Sequence, residues 1–204
     1  MKKVILLLMA AMMIIPTAEA KRRETPEEIA RKTREYKGWE WGAEARFDLV
    51  FYDMGYSKVL NSAAVNWYQA QARLGGNVML NGGYFINNNW KVGFELGAQM
   101  QYNYTVMPVA VTARYFYGTR KNCLFNFVNL GTNVLFNKGM RFGALGEGGV
   151  GVRLQSPESK FKYDILLGYQ ALMINPRPQS GDYQVKANYK RVNQSVYLGL
   201  GINF

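Results

Sequence analysis

The chain contains no histidine and a single cysteine, Cys123. A lone thiol cannot form an intrachain disulfide. Without imidazole, catalysis that relies on a histidine base and metal sites that rely on histidine ligands are excluded. No D-x-D-x-D spacing appears, so an all-oxygen calcium loop is not indicated either. Lys121 is the nearest cation to Cys123 in sequence, and we expect that thiol to be inert. No cofactor and no metal are expected. Proline is scarce, six in 204 residues. After residue 20, no apolar run approaches the ~20 residues that a membrane helix needs.

What is present begins with a leader. Met1-Lys2-Lys3 is followed by the uncharged run "VILLLMAAMMII", by Pro16, and by the small-x-small triplet Ala18-Glu19-Ala20. This pattern predicts a secretory signal peptide over 1–20. The chain is basic, with a formal net charge of +11. No basic stripe interleaved with aromatics appears, so nucleic acid is not an expected partner. Anionic lipid headgroups suit the charge better.

Residues 21–37 carry seven cations and differ from everything that follows. In "TPEEIARKTREYKG", Thr25 is placed to cap a helix, Pro26 to begin it and Glu28 to complete a capping box. The spacing predicts a short exposed helix or arm on the periplasmic side over 21–38.

From Trp39 the period is two. Trp39, Trp41, Ala43, Ala45, Phe47 and Leu49 alternate with Glu40, Gly42, Glu44, Arg46 and Asp48. Eight such segments are predicted, near 39–52, 67–86, 90–103, 105–118, 122–136, 139–154, 160–174 and 190–204. The links at 53–66 and 175–189 are long, whereas "NNN" at 87–89, "GTRKN" at 118–122 and "QSPES" at 155–159 are short. Both long links fall on one side of an up-and-down meander, and both chain ends on the other. Transmembrane barrels have this asymmetry. Pro108 removes a ladder donor, so a bulge or strand end is expected there.

Alternation alone leaves open which face is wet. Three features favour an apolar exterior. Aromatic residues gather near the strand ends, with Trp39, Trp41, Tyr84, Trp90, Phe125, Phe127 and Tyr163 on one side and Phe51, Tyr102 and Phe142 on the other, as in two interfacial belts. The polar face is too rich in glycine and too sparse in charge for a soluble surface. Folding the strands about their turns sets Glu95 opposite Asn81, Gln99 opposite Asn77, and Glu147 opposite Asn129, polar against polar. A closed eight-stranded barrel follows, with strand one sealing against strand eight, because lipid offers backbone groups no partner. Glu44, Arg46, Asp48, Arg73, Glu95, Arg114, Arg141, Glu147, Arg153, Lys162 and Asp164 then project inward. We expect them to form a salt-bridged plug, with a proton or ion path as the alternative.

The leader, the eight amphipathic strands, the belts and the ending "VYLGLGINF" together resemble the small eight-stranded outer-membrane β-barrels of the OmpA/OmpX type. The resemblance implies an all-β antiparallel transmembrane barrel over 39–204 with both termini in the periplasm. It implies that Val196, Leu198, Leu200, Ile202 and Phe204 form the terminal signal read by the barrel-assembly machinery. Enzymatic small barrels of the envelope use a histidine, which this chain lacks, so no enzyme activity is expected. "GEGGVG" at 146–151 matches a dinucleotide fingerprint in letters only, since it lies within period-two sequence with no helix following.

The expected function is therefore structural or surface-interacting, by a monomer resting in outer-membrane lipid. The links at 53–66 and 175–189 would be its exposed surface, with their ligand unknown. Two other readings stay open: a narrow or gated porin-like path for small solutes, and a soluble periplasmic carrier of lipocalin type.

Overall fold

The computed structural model describes residues 25–58, 65–101, 104–135, 142–156, 158–174 and 188–204. The leader over 1–20, Arg141, Pro157 and most of the link at 175–189 lie outside the described residues. The chain divides into one unit ending at Lys32 and another running Thr33–Phe204. The first contains helix α1, Pro26–Lys32. Its capping box forms: the Thr25 backbone N–H donates to Glu28 Oε2 at 3.1 Å and the Glu28 N–H donates to Thr25 Oγ1 at 3.3 Å.

The second unit is a closed antiparallel barrel in which each strand pairs with the next and the last with the first. The strands are β1 Gly38–Lys58, β2 Val65–Phe85, β3 Trp90–Gln101, β4 Tyr104–Phe116, β5 Cys123–Leu135, β6 Phe142–Leu154, β7 Lys162–Ile174 and β8 Asn188–Asn203. β1 and β2 are longer than the alternation indicated. They take up most of the link at 53–66 as an extended hairpin and leave only 59–64 between them.

Phe47, Leu74, Val111, Leu130 and Leu200 stand exposed on the outer wall, while Glu44, Arg46, Glu95, Arg114 and Arg153 are buried within. A water-facing wall of that kind would leave a large apolar surface uncovered. An apolar exterior around a charged interior is the arrangement of a transmembrane barrel, the reverse of a lipocalin. The three cross-strand pairs expected from sequence form: Asn81 with Glu95, Asn77 with Gln99, and Asn129 with Glu147.

Three details depart from the sequence reading. Phe125 and Phe127 do not join the outer belt. They are buried in the lumen, each beside a glycine of β6, with Phe125 paired to Gly151 and Phe127 to Gly149. Tyr197 of β8 pairs with Gly168 of β7 in the same way. A glycine on the inner face leaves the volume that the opposite ring occupies, which gives the "GEGGVG" stretch a packing role. Pro108 makes neither a bulge nor a strand end. The β3–β4 pairs lapse between Leu96–Val109 and Gln99–Val106 and resume in the same register. Finally, both ladders of β1 shift register between Val50 and Tyr52. Even-numbered residues point inward before the shift; after it the odd-numbered Asp53 and Gly55 are buried.

Candidate functional site in the barrel lumen

The inner face of β1 carries Glu40, Glu44, Arg46 and Asp48 at even positions, with Gly42 between the first two. β3 adds Lys91 and Glu95, β4 adds Arg114, β6 adds Glu147 and Arg153, and β7 adds Lys162 and Asp164. Because strand period sends every second side chain inward, these residues meet across a barrel only eight strands wide.

The centre is a pair of guanidinium groups, each bridging carboxylates. Arg46 reaches Glu44 at 2.6 Å, Glu95 at 2.7 Å and Glu147 at 2.9 Å. Arg114 reaches Glu44 at 2.5 Å, Glu95 at 2.8 Å and Asp164 at 3.4 Å. Asp164 passes the chain to Arg153 at 2.7 Å, and Arg153 passes it to Glu40 at 3.1 Å. Glu40 also receives Lys91 at 2.8 Å and Lys162 at 2.5 Å. The ten groups form one connected network of five cations and five carboxylates. Buried charge is tolerable only when paired and hydrogen-bonded in this manner. Asn129 donates to Glu95 and Glu147, and Asn81 to Glu44, filling further acceptor sites on the acids.

Toward the long-link end the lumen changes to amides. Asp48 accepts from Gln99 at 3.1 Å and from Asn77 at 3.3 Å, and it makes no ion pair among the described residues. Gln170 joins this layer to the network through Glu147 at 2.6 Å, and Ser195, Gln101 and Asn193 extend it. Several amide oxygens here, including those of Asn77 and Asn193, find no protein partner. Farther out, Asp53 pairs with Arg191.

At the short-turn end the lumen is aromatic. Tyr36, Phe85, Phe116, Phe125, Phe127 and Tyr197 cluster there with Leu166. Their ring faces hold cations: the Arg153 guanidinium lies 4.6 Å from the Phe116 centroid, and the Arg46 guanidinium 5.1 Å from that of Tyr197.

Of the residues singled out from sequence, Glu44, Arg46, Glu95, Arg114, Glu147, Arg153, Lys162 and Asp164 belong to the network. Asp48 lies in the amide layer beside it. Arg73 pairs with inward-facing Val50, farther toward the long-link end, and is half-buried. Arg141 lies outside the described residues. Sequence reasoning missed Glu40 and Lys91, although each shares the inward parity of its strand. It also missed Arg34 and Tyr36, which follow the helix and lack any strand period. Val196, Leu198, Leu200, Ile202 and Phe204 all face outward along the β1–β8 seam.

Among solved structures, the chain is similar to the outer membrane protein OprG of Pseudomonas aeruginosa, with a TM-score of 0.53 at 14% identity over 83% of this chain and 97% of that one. This is the fold of the small eight-stranded outer-membrane β-barrels. Weaker similarities to barrels of that kind extend to the N-terminal barrel domain of P. aeruginosa OprF, TM-score 0.42, and to Neisserial surface protein A, TM-score 0.39, each at 14% identity. The barrel covers 84% of this chain and 100% of the OprF domain, and 82% of this chain and 97% of the Neisserial protein. No family model matches the chain, and no curated protein sequence matches it.

Proposed function

We propose that the chain is an integral outer-membrane protein whose lumen is plugged by its own ion pairs, and that its role is structural or surface-interacting rather than catalytic. The observation that carries this reading is the connected network from Glu147 to Lys162. It spans the lumen and ties β1 to β3, β4, β6 and β7. An open aqueous pore keeps its charged walls apart and hydrated; here they are in contact and buried. Each network carboxylate is engaged by a cation, which leaves it poorly suited to proton transfer.

The predicted leader supports export, and the apolar wall supports residence in lipid rather than in the periplasm. With an even number of strands, the short turns and both chain ends would lie on the periplasmic side. The links at 53–66 and 175–189 would then form the outer recognition surface. The outward Val196, Leu198, Leu200, Ile202 and Phe204 would present the terminal strand to the assembly machinery. A monomer suffices, because closure leaves no free sheet edge.

Narrow solute transport has one feature in its favour, the amide layer with its unpartnered oxygens. Planar-bilayer recording separates the two readings. A plugged barrel gives no current steps above background; steps whose frequency scales with added protein overturn the plug. Extraction tests location: the spanning barrel leaves the membrane in detergent and resists alkali, whereas release by alkali refutes it.

A further inference from the structure

Residues 33–37 precede the first strand, yet two of their side chains are buried in the barrel's short-turn end. Arg34 and Tyr36 are buried, while Glu35 and Lys37 between and beside them are exposed. The segment is held mainly through side chains rather than by a strand ladder. Thr33 makes an isolated antiparallel bridge with Arg120, and the Arg34 backbone N–H donates to the Thr119 carbonyl at 2.7 Å. The Arg34 guanidinium donates to Cys123 Sγ at 3.1 Å, to the Gly118 carbonyl at 2.8 Å and to the Phe116 carbonyl at 3.4 Å. The Tyr36 N–H donates to Asn88 Oδ1 at 2.8 Å, and its hydroxyl hydrogen-bonds Gln155 Oε1 at 3.2 Å. The segment thus grips three turns: the one after β2, the one after β4 and the one after β6.

The Tyr36 ring is surrounded by cations, with Arg34 at 5.2 Å, Lys162 at 5.2 Å and Arg153 at 5.5 Å from its centroid. The last two are also partners of Glu40. Tyr36 therefore covers the end of the ion-pair network. Arg34 differs from the other buried arginines. It makes no ion pair among the described residues, whereas Arg46, Arg114 and Arg153 each bridge carboxylates. A buried cation held by carbonyls, a sulfur and ring faces is held less firmly than one bridging carboxylates.

We propose that Thr33–Lys37 is a detachable seal over the short-turn end of the lumen, with Arg34 as its latch and Tyr36 as its stopper. It opens without unfolding the barrel, because it contributes no strand to the sheet and only one isolated bridge. Opening uncovers Glu40, Lys91, Arg153 and Lys162 together with Cys123.

The chain's one thiol is the reporter. In the refolded full-length protein, a water-soluble maleimide is expected to modify Cys123 slowly. The double substitution Arg34→Ala, Tyr36→Ala is expected to speed the reaction by about tenfold or more while heat-modifiable migration in detergent gels stays intact. The seal is overturned if wild-type Cys123 reacts as fast as a thiol at exposed Ser156, introduced as Ser156→Cys in a Cys123→Ala background. It is overturned equally if the double variant keeps both its barrel and its protection. Should that variant not fold, Thr33→Cys with Arg120→Cys, again in Cys123→Ala, decides the matter. Facing residues of an antiparallel bridge lie about 4.5–5.5 Å apart, within disulfide reach. A cross-link in the folded protein supports the docked segment; a folded protein that fails to cross-link under oxidant refutes it. Thiol access reads the seal and bilayer current reads the plug, so either can fail without the other.

Discussion

Arg114 on β4 and Glu44 on β1 meet across the lumen at 2.5 Å, although their strands are not neighbours in the sheet. The contact is a strut rather than a rung. Arg114 shares both Glu44 and Glu95 with Arg46. Removing one member of a buried ionic cluster leaves the others uncompensated and costs roughly 3–5 kcal/mol. Arg114→Ala is therefore expected to lower the unfolding free energy of the refolded barrel by that amount, read as a lower urea midpoint. Arg46→Ala should cost a similar amount, and the double variant less than the sum, because the two arginines share the same acids. Additive losses would mean that they act separately.

The orientation of the wall has a direct test. Spin labels at Phe47 and Leu96 should be relaxed efficiently by oxygen dissolved in lipid, since both positions stand on the outer face. Labels at Arg46 and Glu95 should not be. The opposite result would invert the barrel and remove the case for a membrane location.

Tyr197 and Gly168 form a matched pair in the lumen. A Cβ added at Gly168 would meet the Tyr197 ring rather than backbone. Gly168→Val is expected to destabilise by about 1–3 kcal/mol through overpacking. Tyr197→Ala should recover part of that loss, because the colliding atoms belong to its side chain. A double-mutant cycle with zero coupling would argue that the ring is not seated there.

The seam can be weakened at its last residue. The Trp41 N–H donates to the Phe204 carbonyl at 3.2 Å, and the Phe204 N–H donates to the Trp41 carbonyl at 2.9 Å. Deleting Phe204 removes both bonds, each worth about 0.5–1.5 kcal/mol, and an exposed aromatic at the interface. A smaller heat-modifiable fraction after refolding is expected. An unchanged fraction would place the stability of closure higher up the seam.

Burial pushes the Tyr36 phenol up to about 12, against an opposing pull from Arg153. A raised value in the folded state means that the protonated phenol favours docking. That contribution is complete below pH 10, where an unfolded tyrosine keeps its proton, and is lost as pH rises toward 12. Tyrosinate absorbance should show a late-titrating component that Tyr36→Phe removes. If the substitution leaves the titration unchanged, Tyr36 is solvated.

The register was legible in sequence because a slip of one residue would turn every side chain of a strand to the wrong face. That constraint, together with folding the strands about their turns, placed Glu95 beside Asn81 and Glu147 beside Asn129. It failed where the two faces stop differing in polarity. In β5, Phe125 and Phe127 point inward while Asn126 is exposed, so hydrophobicity there gives the wrong phase. Only the glycines they pair with, one strand away, could have signalled it. Asp53 was hidden by the register shift near Phe51, since parity carried forward from Asp48 puts it outside. Arg34 and Tyr36 bury themselves through contacts with three separate turns, and no local pattern records that.

The membership of the network bears on how the barrel is put together. Its partners on β1 to β4 are Glu40, Glu44, Glu95, Arg46, Lys91 and Arg114, three acids and three bases; those on β6 and β7 are Glu147, Asp164, Arg153 and Lys162, two of each. Each group of strands is thus electrically neutral by itself. Strands β1–β4 entering together can therefore cross the bilayer interior without surplus network charge for a later strand to cancel, whereas the β1–β2 hairpin alone, with Glu40, Glu44 and Arg46, would carry one uncancelled carboxylate.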